Sequence, residues 1–198
     1  MGRFMQRSLA ASALLVALAS SSSLRATTVI APTFEELVRT AEVVFEGEVI
    51  DTRARLVAKP EGTTIVTDVY FKVERVLKGK AGLSLILQFL GGTVGDLTYQ
   101  IDGMPAFAVG DRDVLFATLS QQLASPLVAM MYGRVRMVVD PATKQQLVRR
   151  FDGTPLREAS AFTFRESQPV FSPSPSMSAA AFESAVIAEV ARQNGLVR

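Results

Sequence analysis

Cysteine and histidine are both absent from the chain. Without cysteine there is no disulfide, no thiolate metal site, no sulfur nucleophile and no lipid-anchor cysteine of the bacterial lipoprotein kind. Without histidine, most zinc sites, most Ser-His catalysis and the usual proton shuttle near neutral pH are excluded too. Strong charge of either sign is also missing: 21 Lys and Arg stand against 19 Asp and Glu, for a formal +2. That balance gives no reason to expect nucleic-acid binding. What is present is 198 residues, 48% of them hydrophobic, which suits one domain with a proper core and argues against disorder.

The first 26 residues read as an export signal. Arg3 and Arg7 supply the positive start, Leu9 to Ala19 is apolar, and cleavage is expected after Ala19 or Ala26. The apolar run falls short of the roughly 20 residues a spanning helix needs, so no stable membrane insertion is expected once the signal is removed. Loss of Arg3, Arg7 and Arg25 with it changes the formal charge from +2 to −1.

Residues 27–166 carry the pattern of a β domain. Thr33-Phe34-Glu35-Glu36 has capping-box spacing and starts a short helix through Leu37, Val38 and Ala41. In the strand that follows, Val43, Phe45 and Val49 face one way and Glu46 and Glu48 the other, with Gly47 in the middle as the expected point of a bend. Ile65 to Val73 alternates apolar residues with Asp68, Tyr70, Lys72 and Glu74, and Leu83, Leu85, Leu87 and Phe89 share a face of the next strand. These three strands form an antiparallel meander.

"FLGGTVGD", from Phe89 to Asp96, resembles the opening of a phosphate loop. Asp96 would repel phosphate, however, and Leu97 to Ile101 alternates as a strand where a helix would be required. The glycines are therefore expected in a hairpin connection with positive φ. Val114 to Ala117 is apolar on both sides, as in a barrel core. Val128 to Val139 reads as one strand, with Gly133 inside it and a hairpin to Leu147–Arg150. Residues 167–178 are a Ser/Pro linker, and 179–194 form an amphipathic helix with Phe182, Val186, Ile187 and Val190 on its apolar face, capped by Ser178 and stopped by Asn194-Gly195.

The segments "TAEVVFEGEVIDTRARLV", "VYFKVERVLKGKAG" and "FAVGDRDVLFA", in that order between Thr40 and Ala117, resemble the netrin-like module of tissue inhibitors of metalloproteinases. They are closer still to exported bacterial proteins that carry the same strands without cysteines. The resemblance implies an OB-type antiparallel barrel whose work is binding, often of another protein. The inhibitors' disulfide-forming cysteines are missing, so zinc chelation by a pinned N-terminus is not carried over.

Asp96, Asp102, Asp111 and Asp113 fall in neighbouring loops and could form a carboxylate pair or a Ca²⁺ cluster, although turns collect Asp for conformational reasons alone. Arg134, Arg136, Arg149 and Arg150 could make a basic strip across a hairpin; such residues are also what a solvated sheet face carries. No catalytic, cofactor-binding or metal-ligating residue is nominated, and the ligand's residues stay unassigned. The expectation is a mainly β, OB-like or netrin-like barrel with a short N-terminal helix and a C-terminal amphipathic helix. It would be exported, periplasmic or secreted, and act as a non-catalytic interaction module that needs no cofactor and binds an extracytoplasmic protein. A cell-envelope carbohydrate-binding or structural protein, and a hydrolase using loop carboxylates, are the alternatives.

Overall fold

The alternating run at Ile65 is the middle of a much longer strand. The computed structural model describes residues 31–60, 62–120, 124–162 and 176–196, so the expected export signal and most of the Ser/Pro linker lie outside the described residues. Helix α1 (Phe34–Thr40) is closed by the full capping box, Glu36 N donating to Thr33 Oγ1 and Thr33 N to Glu36 Oε2. Strands β1 (Val43–Lys59), β2 (Gly62–Lys78) and β3 (Ser84–Leu90) make the expected meander, and β1 and β2 each run to 17 residues. A separate hairpin, β4 (Gly92–Val94) with β5 (Leu97–Tyr99), follows β3. Strands β6 (Arg112–Ala117), β7 (Arg134–Val139) and β8 (Gln146–Arg149) complete a six-stranded antiparallel sheet in the order β3-β2-β1-β6-β7-β8.

β1 serves two neighbours. It pairs with β2 along its length and with β6 through Val43–Glu48, and its register with β2 shifts beside Phe45, Gly47 and Asp51. A Cβ at Gly47 would lie 2.8 Å from the Phe45 ring, which is why this bulged stretch carries a glycine. Among the described residues no ladder joins β3 to β8, so the expected closed barrel is observed as an antiparallel sheet with two edges.

Both faces of the sheet are buried at its centre. Val43, Phe45, Val49, Phe71, Leu115 and Ala117 belong to one core. Val44, Val114 and Phe116, alternate residues of β1 and β6, with Val135 of β7, meet α1 and the C-terminal helix α2 (Ala179–Leu196) on the other. Phe182 sits between Phe34 and Phe116 at ring separations of 6.0 and 6.3 Å. No helix among the described residues is long and apolar enough to cross a membrane.

Several expectations fail for identifiable reasons. Val128–Gly133 is not strand, because Ala129 and Met130 adopt left-handed conformations (φ 51° and 56°) and lead into a 3₁₀ turn. Leu83 is 90% exposed: it precedes the strand proper and the core ends at Leu85. Ile187 is half exposed because the buried stripe of α2 runs Ala179, Phe182, Val186, Val190, about 100° away. Glu46 does point away from Phe45, but into the interface with α2 and not into water. The helix also continues past Asn194-Gly195 to Leu196.

Candidate functional site

Among the described residues, a buried ion cluster, a threonine-lined cleft beside it and an open sheet edge carry chemical content. The cluster follows from strand periodicity. Asp111 immediately precedes β6 and Asp113 is its second residue, Arg134 and Arg136 are two apart on β7, and the β6–β7 register sets Asp113 opposite Arg136. Arg134 is 5% exposed and donates from Nε to Asp113 Oδ1 at 3.0 Å, from Nη2 to Asp111 Oδ2 at 2.7 Å, and from Nη1 to the Ala106 carbonyl. Asp113 Oδ2 lies 2.9 Å from Nη2 but off the N–H axis, so that approach is a charge contact only.

Burial pushes the Asp113 carboxyl above its ordinary range, against the pull of Arg134. For Asp111 burial also acts upward, but the Ala108 N–H, Arg134 and Arg136 outweigh it and hold the group below the ordinary value. Both carboxylates are thus committed to Arg134, and Asp113 is wholly shielded from solvent. Asp96 and Asp102 stay exposed in turns and do not join them. Among the described residues no three acidic groups gather to hold a metal. The arginine strip is likewise divided: Arg134 is internal, Arg136 is 41% exposed and 3.6 Å from Asp111, and Arg149 Nη1 donates to the Gly153 carbonyl at 3.0 Å. Arg150 follows β8 in the turn toward Gly153.

Arg134 also holds the loop after β5. Its guanidinium lies 4.2 Å from the centre of the Phe107 ring, which packs at 5.5 Å on Phe71 and 5.1 Å on Phe89. The far side of that loop walls a cleft of about 360 Å³, lined also by Thr52, Thr67, Thr93, Thr98, Tyr99 and Gln100. The glycines expected at positive φ are found there: Gly91, Gly92 and Gly95 have φ of 103°, 132° and 58°, and Gly95-Asp96 forms the two-residue turn of the β4–β5 hairpin. No helix follows, as expected of a connection that is not a phosphate loop.

The two sheet edges differ. β8 is covered: Val148 N donates to the Met177 carbonyl, and Leu147 and Arg149 bridge to Ser178 and Pro155. β3 is not. Its odd residues bond inward to β2, as Val73 N to Leu83 O and Gly91 N to Ile65 O mark at either end, so Ser84, Ile86, Gln88 and Leu90 present N–H and C=O outward. Among the described residues only Leu90 N finds a backbone partner there, Ala124 O at 2.8 Å. The strand, Ser-Leu-Ile-Leu-Gln-Phe-Leu, has no charge and no proline. A groove of about 470 Å³ separates Ile86 and Gln88 from Thr118, Leu119, Ser120 and Pro126.

The sequence showed β3 as a strand but not that it would lie at an edge, which depends on pairing. The signal for the Arg134 cluster was present, as opposite charges at two-residue spacing on what become neighbouring strands. The chain matches no family model, no curated protein and no solved structure.

Proposed function

We propose that this chain is an exported, non-catalytic interaction module of the OB-type, netrin-like kind, and that an extracytoplasmic protein partner adds an extended segment to the outer edge of β3. The observation that carries this reading is the bare edge itself. Edge strands are ordinarily blunted by charge, proline or a covering segment; β3 has neither charge nor proline and, among the described residues, a single backbone tie at Leu90, while β8 at the opposite edge is covered. An added strand would pair with the outward groups of Ser84, Ile86 and Gln88 and fill the groove toward Leu119 and Pro126. The bulged β1, shared between β2 and β6, supports the OB-type assignment, and the incoming strand would occupy the gap where a barrel would close. A hydrolase using Asp111 and Asp113 is disfavoured because Arg134 engages both.

The test is Ile86→Pro. The Ile86 N–H points away from β2, so proline removes an outward donor and leaves the β2 ladder bonds in place. Capture of the partner from the exported fraction should fall at least about tenfold, with the melting temperature within roughly 2 °C of the parent. In the complex, exchange of the Ile86 and Gln88 amides should slow. Undiminished capture by Ile86→Pro, with those amides unprotected, would overturn the reading.

A further inference from the structure

The geometry points to a second binding site, for a neutral oligosaccharide, in the cleft between the β4–β5 hairpin and the loop held by Arg134. It lies at the Phe89–Leu90 end of β3, apart from Ser84, Ile86 and Gln88, and does not depend on the strand-addition reading.

The lining decides the ligand class. The polar groups are the hydroxyls of Thr52, Thr67, Thr93, Thr98 and Tyr99 and the amide of Gln100, over a floor of Val69, Phe89 and Phe107; among the described residues no Asp, Glu, Lys or Arg lines this cleft. A charged ligand would give up its hydration here and meet no counter-charge. An alkyl chain would leave the hydroxyls unpaired. A sugar offers what this wall can pair with, hydroxyls that each donate and accept. Thr67 Oγ1 already donates to the Gly91 carbonyl at 2.7 Å, and Thr93 and Thr98 share one bond at 3.0 Å, which leaves lone pairs free to accept from a ligand.

Tyr99, 44% exposed, supplies an aromatic surface for the apolar face of a sugar ring. It also borders a second hollow of about 540 Å³ on the other side of Thr98, with Leu56, Lys59, Thr63, Thr64 and Leu97, so the two could take successive rings of one chain, with Lys59 available there to donate to a sugar hydroxyl. Both volumes are of ligand size. The walls are fixed in advance. Arg134 ties down Ala106 and Phe107, and a side chain at Gly92 would come within 2.3 Å of Thr67 Oγ1, so the glycine is what leaves that wall open. A preformed site loses little entropy on binding.

The experiment uses the exported full-length protein and four unbranched neutral tetrasaccharides, of glucose, galactose, mannose and N-acetylglucosamine, with tetragalacturonate as the charged probe. At least one neutral sugar should bind with a dissociation constant of about 1 mM or tighter and shift the amide resonances of Thr93, Thr98 and Tyr99. Tyr99→Ala should weaken it at least about tenfold, and Tyr99→Phe, which keeps the ring, by no more than about threefold. The Ile86→Pro chain should bind the sugar as the parent does, so this proposal and the strand-addition reading can fail separately. The assignment is overturned if none of the four neutral sugars shifts those resonances at about 10 mM. It is overturned equally if tetragalacturonate or an uncharged peptide binds there more tightly, or if Tyr99→Ala binds unchanged.

Discussion

Arg134 replaces hydration with three protein acceptors, two of them carboxylates. Removing one partner of such a group is worse than never having it, because the other is left buried and ionisable. Arg134→Ala should therefore cost about 3 to 5 kcal/mol in urea denaturation. Arg136→Ala, which loses only a long contact at a half-exposed site, should cost less than about 1 kcal/mol. Equal losses at the two arginines would contradict the division of the strip into an internal and a surface residue. Sequence alternation places both arginines on one face, and it does so correctly. What it lacks is the identity of the facing strand, since Asp113 neutralises Arg134 only once β6 lies beside β7.

At the level of elements, α2 is held by more than its apolar stripe. Glu183, next to Phe182 and 5% exposed, pairs with Arg75 and faces Glu46, whose other neighbour is Arg112. Burial raises the Glu183 carboxyl above its ordinary 4.5, the charge and hydrogen bond of Glu46 raise it further, and Arg75 and Arg112 oppose the shift. A carboxyl raised by folding binds its proton more tightly in the native state. Its contribution to stability is whole below the ordinary value and is lost as pH rises through the raised one. Glu183→Gln cannot ionise and should flatten that loss, so as pH rises from the ordinary 4.5 to neutral its melting temperature should fall less than the parent's. Parallel melting curves across that interval would remove Glu183 from the account.

The elements themselves were the most legible part of the chain. The capping box at Thr33, the period-two runs of β1 to β3 and the Ser178 cap with its Phe182 stripe all rest on local patterns and are found, except that Leu83 falls outside β3 and Ile187 off the buried stripe; Ala181 N donates to Ser178 Oγ. The left-handed residues Ala129 and Met130 have no such local mark, and a strand read through them was lost.

For the whole molecule, the decisive feature is that one sheet supports two cores. Val44 goes to the core under the helices, while Val43, Phe45 and Val49 go to the other, and β6 divides its residues in the same way. Neither core can open without exposing the back of strands that the other requires. Stability should therefore be lost in a single cooperative step, even though Phe182 on α2 and Phe71 on β2 lie on opposite sides of the sheet. Each is fully buried, so Phe182→Ala and Phe71→Ala should each cost about 3 to 5 kcal/mol. For a chain of this length that lowers the melting temperature by roughly 6 to 20 °C. In calorimetry both substitutions should move one and the same peak, with its measured enthalpy equal to the van't Hoff value. A second peak in either variant, with the remaining one unmoved, would mean that the two cores unfold separately and that α2 with its core is a detachable layer.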